Sequence, residues 1–204
     1  MDTLAKHRPG SDKAYLGYAG RGLPQRQYPE RKEEPRGELI ATRVGEMLLR
    51  PIRADDVAAL QRGFSELTPE EVRLRFLHPV TELPEAVARK MCDIDPGQAV
   101  AFVLIDPPGA PEPSIHAVAR AYIDPVTLSA EFALVVQHRY GGQGIGTLMM
   151  QRLIDACRRH GATEIWGDVL AENGAMLELC DHLFFTRSVA YHDPGVVRVT
   201  LPLR

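Results

Sequence analysis

The sequence predicts one mixed α/β domain built on a mostly antiparallel sheet, and three observations carry that reading. Short β-type runs and amphipathic helical stretches follow one another, bounded by Pro- and Gly-rich connectors. The β-type runs in the middle of the chain are joined by short loops, so neighbouring strands there are expected to form an antiparallel meander. Finally, 204 residues, 45% apolar and 25% charged, suffice for one domain with its core but not for two of typical size.

Residues 1–36 stand apart from that pattern. They hold four Gly, four Pro and eight Lys/Arg against five Asp/Glu, and no Val or Ile. So little apolar surface cannot offset the entropy of ordering. The segment therefore reads as a flexible basic N-terminal arm, either a solvated tail or a strap, ahead of a domain over 37–204 with net charge −6.

Within the domain, 38–42 and 47–52 read as strands about the turn at Val44-Gly45, and 54–64 carries apolar residues at helical spacing. Thr68-Pro69-Glu70-Glu71 is a helix start. It offers a capping hydroxyl, proline at the first helical position and a glutamate three residues on to close a capping box. The helix it opens is expected to end before Pro79, and 84–91 makes another. Strand-like runs at 99–105, 116–123 and 128–137 follow, separated by DPPGAPEPS and DPVT. Then GGQGIG leads into a helix over 147–160, with Ile145, Leu148, Met149, Leu153 and Cys157 as one stripe. A strand at 162–170, a helix at 173–182 and strands at 185–191 and 196–201, joined at His192-Asp193-Pro194-Gly195, complete the chain. Meander, helix, strand, helix, hairpin is neither a doubly wound order nor a barrel.

Several function classes fall away on composition. A net charge of −3 gives no general electrostatic case for nucleic acid or for an anionic membrane. No apolar run approaches the ~18–20 residues of a membrane span, and the first residues lack the apolar stretch of a secretory signal. Cys92, Cys157 and Cys180 are too scattered for a disulfide framework or a metal set, and the seven histidines sit singly. No metal is expected, and the cytoplasm is the expected setting.

The informative segment is Glu131-Phe-Ala-Leu-Val-Val136, Gln137-His-Arg-Tyr140 and Gly141-Gly-Gln-Gly-Ile-Gly146-Thr147. A strand entering a glycine-rich turn and then a helix presents bare N–H groups at the positive end of a helix dipole, a site for a phosphate or diphosphate. A P-loop needs Lys after the last glycine, where Thr147 stands. A dinucleotide fold needs G-x-G-x-x-G early in a βαβ unit, whereas these glycines run 142, 144, 146, late and after antiparallel strands.

This segment resembles motif A of the GNAT (N-acetyltransferase) superfamily, R/Q-x-x-G-x-G/A. Gly144 and Gly146 stand at the small positions and Gly141 at the one usually Arg or Gln. Asn173-Gly-Ala-Met176-Leu-Glu-Leu179-Cys180-Asp-His-Leu183-Phe-Phe185 resembles motif B. There Cys180 stands where many members have a tyrosine that protonates the leaving thiolate, and Phe184 replaces a glycine. Leu49-Arg-Pro-Ile-Arg53-Ala-Asp-Asp56 is similar to the first strand and helix of these domains. The phrases LRFLHPV, MCDIDPGQAVAFV and AEFALVV resemble the catalytic domain of bacterial protein-lysine acetyltransferases that modify acyl-CoA synthetases.

The resemblance implies a mostly antiparallel sheet splayed at the acyl-CoA site, with helices on both faces. It implies acetyl-CoA as cosubstrate, held by Gly141, Gly142, Gln143, Gly144, Ile145, Gly146 and Thr147, with Asn173 at the pantetheine arm. It also implies a backbone donor to the thioester from a bulge near Val135 or Val136, and Glu131 as general base. The acceptor it implies is a protein lysine. A lysine amine, with a pKa of about 10.4, is an ammonium at neutral pH and needs such a base. Glu131 alternates with Ala133 and Val135 on one strand face, where small apolar neighbours would desolvate it. A small-molecule amine acceptor and a non-catalytic coenzyme-A-sensing module remain the alternatives. Cys180 reads as an inert thiol, because Asp181 and His182 do not face it on a helix. His138 and Arg139, flanking the turn, are candidate phosphate contacts, and His78 could border the acceptor site.

Overall fold

Nine successive residues, Ile115–Ile123, are buried along their whole length, which marks the centre of the sheet. The computed structural model describes residues 37–189 and 193–203. The arm expected at 1–36 lies outside the described residues, as do residues 190–192 of the last hairpin.

Two strands, β1 (Glu38–Thr42) and β2 (Gly45–Pro51), come first, then a 3-10 turn at Ala54–Asp56 and helices α1 (Val57–Ser65), α2 (Pro69–Phe76) and α3 (Glu85–Cys92). The meander β3 (Ala99–Ile105), β4 (Ile115–Ile123), β5 (Ser129–Val136) leads through a 3-10 turn at His138–Tyr140 into α4 (Ile145–Arg159). The chain closes with β6 (Glu164–Leu170), α5 (Gly174–His182), β7 (Thr186–Val189) and β8 (Val196–Pro202). The expected class stands: one eight-stranded sheet, ordered β1-β2-β3-β4-β5-β6-β8-β7 and antiparallel except for the β5–β6 pair.

Two particulars differ from the sequence reading. The long helix starts at Ile145 rather than 147, because Gly144 takes the left-handed conformation (φ 76°) that lets the chain turn into it. In the closing hairpin the later strand, β8, lies inside against β6 and the earlier one, β7, takes the edge. Seven pairings with β6, Glu164↔Pro202 to Leu170↔Val196, hold β8 there.

Helices cover both faces. Met149, Met150 and Leu153 of α4 and Leu177 and Cys180 of α5 join Phe102, Leu104, Ala119, Phe132 and Leu134 in the larger core. Each fully buried large side chain contributes roughly 1.5–3 kcal/mol, so packing rather than helix propensity fixes α4 on the sheet. Leu60 of α1 and Met91 of α3 pack with Val103, Ile115 and Val118 on the opposite face. The helix start at Thr68 forms as read. The Thr68 hydroxyl accepts the Glu71 N–H (3.2 Å), and the Glu71 carboxylate accepts the Thr68 N–H (2.6 Å). The helix ends at Leu77, in left-handed backbone (φ 58°). Ahead of α1, Asp56 makes a buried bidentate pair with Arg50 (2.7 Å to each nitrogen) and also accepts the Arg53 N–H (2.7 Å), fixing the LRPIRADD corner.

Candidate functional site

The site is built where β5 and β6 part. They pair only over Ser129↔Glu164, Ala130↔Ile165 and Glu131↔Trp166, after which β6 continues with β8 alone. On its other side β5 stays paired with β4 without a shift, from Ala117↔Val136 to Ile123↔Ala130. The bulge expected near Val135 or Val136 is therefore not there. The irregularity in this part of the sheet falls at Leu104/Ile105, and the opening comes from the departure of β6.

Register decides which main-chain groups face the opening. Gln137 N–H donates to His116 O (3.0 Å) and Asp124 N–H to Ser129 O (3.0 Å), so the odd-numbered residues of β5 exchange hydrogen bonds with β4. Val135 belongs to that set. Leu134 and Val136 turn their main-chain groups to the other edge, where β6 has left. Leu134 is a position that sequence reasoning missed, because only the register picks it out.

The cleft below the fork is lined by Glu131, Ala133, Leu134, Asp168, Asn173, Met176 and Arg75. The sequence thus placed two members, Glu131 and Asn173, that the fold brings together. Glu131 is buried, 8% exposed, between its small neighbour Ala133 and the cleft. Asn173 caps α5, its Oδ1 accepting the Met176 N–H (3.2 Å). Asp168 and Arg75 were not foreseen. Asp168 alternates onto the cleft face of β6 and accepts from Nε and Nη2 of Arg198 (2.8 Å each), whose guanidinium stacks 4.0 Å from the Trp166 ring centroid. The Asp168 hydrogen bonds raise the Arg198 pKa against the opposing effect of burial, and the charge of Glu131 adds to the rise. The alternation in EIWGDVL was the available signal for Asp168.

The glycine turn lies at the end of the same strand. Gly142 (φ 64°) and Gly144 (φ 76°) are left-handed, and the space where a side chain would stand is open at both. No side-chain cap closes α4, so among the described residues its first amides, at Ile145, Gly146 and Thr147, are left without a capping side chain. Gly146 is needed for a different reason. A Cβ there would come within 2.8 Å of Leu179 Cδ1, so any side chain at this position makes the Leu179 methyl move where α4 meets α5. Gln143 Nε2 donates to Arg139 O (3.1 Å), bracing the turn from within.

Sequence neighbours of the turn are engaged elsewhere. Arg139 pairs with Glu66 and donates to Gln137 Oε1 (3.0 Å) and His116 Nδ1 (3.0 Å), which leaves His116 Nε2 to donate to Asp106 (2.8 Å). Burial pushes the Asp106 carboxyl up, but hydrogen bonds from the Ser114 N–H and His116 and the nearby charge of Arg139 bring it below the usual range. The second oxygen of Glu71 accepts the His138 N–H (2.6 Å), so the capping residue of α2 also anchors the turn. Tyr140 packs in the core against Met47 and His116. His78 is exposed, and its Nδ1 lies 3.1 Å from its neighbour's carbonyl, Pro79 O.

The sequence pattern of the acetyltransferase (GNAT) family matches residues 60–183, spanning α1 to the end of α5. The chain belongs to the GNAT acetyltransferase family. An acetyltransferase of Pseudomonas aeruginosa is 31% identical over 149 residues, 72% of this chain and 77% of that protein. Among solved structures, the GNAT domain of S. lividans PAT superposes with a TM-score of 0.71 at 21% identity, over 82% of this chain and 97% of that one. The Salmonella typhimurium protein yncA, solved with its cofactor acetyl-CoA, gives 0.53 at 20% identity, over 78% of this chain and 94% of that one.

As a GNAT acetyltransferase the protein transfers an acetyl group from acetyl-CoA, and the turn fits such a cosubstrate: a helix start without a side-chain cap, two left-handed glycines with open space beside them, and a strand edge leading away to the cleft. Among the described residues no group of His, Cys, Asp and Glu could hold a metal, and no helix is long and apolar enough to cross a membrane. Cys180 is fully buried in the larger core and outside the cleft, and burial raises its thiol pKa to about 12.

Proposed function

We propose that this GNAT enzyme acetylates a lysine side chain on a protein by direct attack, with Glu131 as general base. The observation that carries the reading is the position of one buried carboxylate, Glu131, in the cleft at the fork, on the strand that leads into the glycine turn. The amides of 141–147 would hold the diphosphate, and Asn173 would support the pantetheine end. The main-chain edge at Leu134 and Val136 would receive the thioester carbonyl. The acceptor ammonium would give its proton to Glu131, directly or through one water, and the freed amine would attack the thioester carbon as the thiolate of coenzyme A leaves. A protein acceptor is supported by the LRFLHPV, MCDIDPGQAVAFV and AEFALVV phrases, which resemble those of protein-lysine acetyltransferases. The proposed catalytic unit is 37–204 with the basic arm 1–36 ahead of it, and the proposed setting is the cytoplasm, consistent with three free, buried cysteines.

Incubation with labelled acetyl-CoA, an acyl-CoA synthetase and, separately, a panel of small amines tests the acceptor. Label on a lysine of the protein is expected, and label on small amines alone overturns it. Glu131→Gln is expected to lower kcat by ~10²–10⁴ while acetyl-CoA affinity stays within about twofold. An unchanged kcat would remove Glu131 from the role.

A further inference from the structure

The glycine turn offers amides but no charge: residues 141–147 read Gly-Gly-Gln-Gly-Ile-Gly-Thr, without the side-chain donor that Arg or Gln would give at 141. A diphosphate is an anion, and the neighbouring arginines of α4 and of the 3-10 turn before it are, among the described residues, paired with carboxylates. Arg139 is held by Glu66 and Arg152 of α4 by Glu38. Among the described residues, a cation without such a partner reaches the turn from the β1–β2 edge of the sheet. Arg43, at the tip of the β1–β2 hairpin, donates its main-chain N–H to Gln143 Oε1 (2.7 Å), and its Nη2 lies 3.5 Å from Gly142 O. Its guanidinium is exposed and has no carboxylate partner among the described residues. The tip is rigid, because Thr42 Oγ1 donates to Gly45 O (2.6 Å) and accepts the Val44 N–H (3.2 Å), and Gly45 (φ 125°) closes the turn. Gln143 thus ties a preset hairpin to the turn and keeps a guanidinium without a carboxylate partner among the described residues beside the Gly142 carbonyl.

We propose that Arg43 is the phosphate-binding cation of this coenzyme site, its guanidinium contacting the diphosphate of acetyl-CoA laid on the glycine turn. The inference rests on the reading that 141–147 hold that diphosphate. A guanidinium suits the task because its planar fork donates to two phosphate oxygens at once.

Titration of wild type, Arg43→Ala, Arg43→Lys and Arg43→Met with acetyl-CoA, 3′-dephospho-acetyl-CoA and S-acetylpantetheine tests it. Arg43→Ala and Arg43→Met are expected to weaken acetyl-CoA about tenfold. The same factor is expected for the 3′-dephospho compound, none for acetylpantetheine, which has no diphosphate, and an intermediate one for Arg43→Lys. The methionine variant keeps the apolar stem, so loss in both it and the alanine variant separates charge from packing. Unchanged acetyl-CoA affinity in both overturns the proposal. A penalty that vanishes with the 3′-dephospho compound moves the guanidinium to the 3′-phosphate and overturns the diphosphate assignment. Wild type that binds acetyl-CoA no better than acetylpantetheine overturns the reading of the turn itself, and Arg43 with it.

Discussion

Phe184 holds φ 65° with its ring 85% exposed, a backbone region that glycine enters freely and a setting in which an aromatic ring gains nothing. The conformation is imposed by the end of α5. The Phe184 N–H donates to Asp181 O (2.9 Å) and the Phe185 N–H to Cys180 O (2.9 Å), which closes the helix through one left-handed residue. Phe184→Gly should therefore raise stability by about 1 kcal/mol, read as a higher urea midpoint at unchanged slope. A lower midpoint would show that the ring packs on something that offsets the strain. Four positions earlier, Cys180 sits where the family resemblance allows a proton-donating tyrosine, yet its sulfur is sealed in the core. Cys180→Ala is expected to cost ~1 kcal/mol of stability for the small cavity and to leave kcat unchanged. A tenfold fall in kcat at intact acetyl-CoA affinity would make the thiol part of the chemistry.

The start of α4 is held by neighbouring elements, and its geometry depends on them. Glu71 caps α2 with one oxygen and grips the His138 N–H with the other, while the bare Gly146 lets the helix settle against Leu179 and Leu134. Gly146→Val would push α4 away from β5 and α5 and displace the amides. Acetyl-CoA affinity should fall at least tenfold, whereas an unchanged dissociation constant would show that the amides are not the cradle. The capping box at 68–71, the runs at 38–42 and 99–105 and the glycine turn were legible because each depends on residues a few positions apart. The parallel β5–β6 contact, the insertion of β8 and the edge at Leu134 were not, because register between strands is set by pairing partners far apart in sequence. Arg43 was illegible for the same reason: its meaning lies in a contact with Gly142, 99 positions away.

Across the whole molecule, three thiols report on the integrity of both cores. Cys92 lies in the core under α3, and Cys157 and Cys180 lie in the one under α4 and α5. Burial raises their pKa values from 9.0 to about 11, 12 and 12 respectively. A raised acid pKa means that the folded chain keeps a proton the unfolded chain releases, so the associated stability is complete below pH 9 and drains away as pH rises toward those values. Each thiol can contribute a slope of up to ~1.4 kcal/mol per pH unit in that window. Arg120 acts with the opposite sign. Its complete burial, with the charge of Arg75 nearby, lowers its pKa from 12.5 to about 10, so its penalty is relieved only above pH 10. Between pH 9 and 10 the thiols therefore act alone among these groups. The urea midpoint should fall across that unit, and replacing all three cysteines by alanine should flatten the fall even though it lowers the midpoint at pH 7. A slope unaltered in the triple variant would assign the alkaline loss to the growing negative charge of the surface instead of the cores.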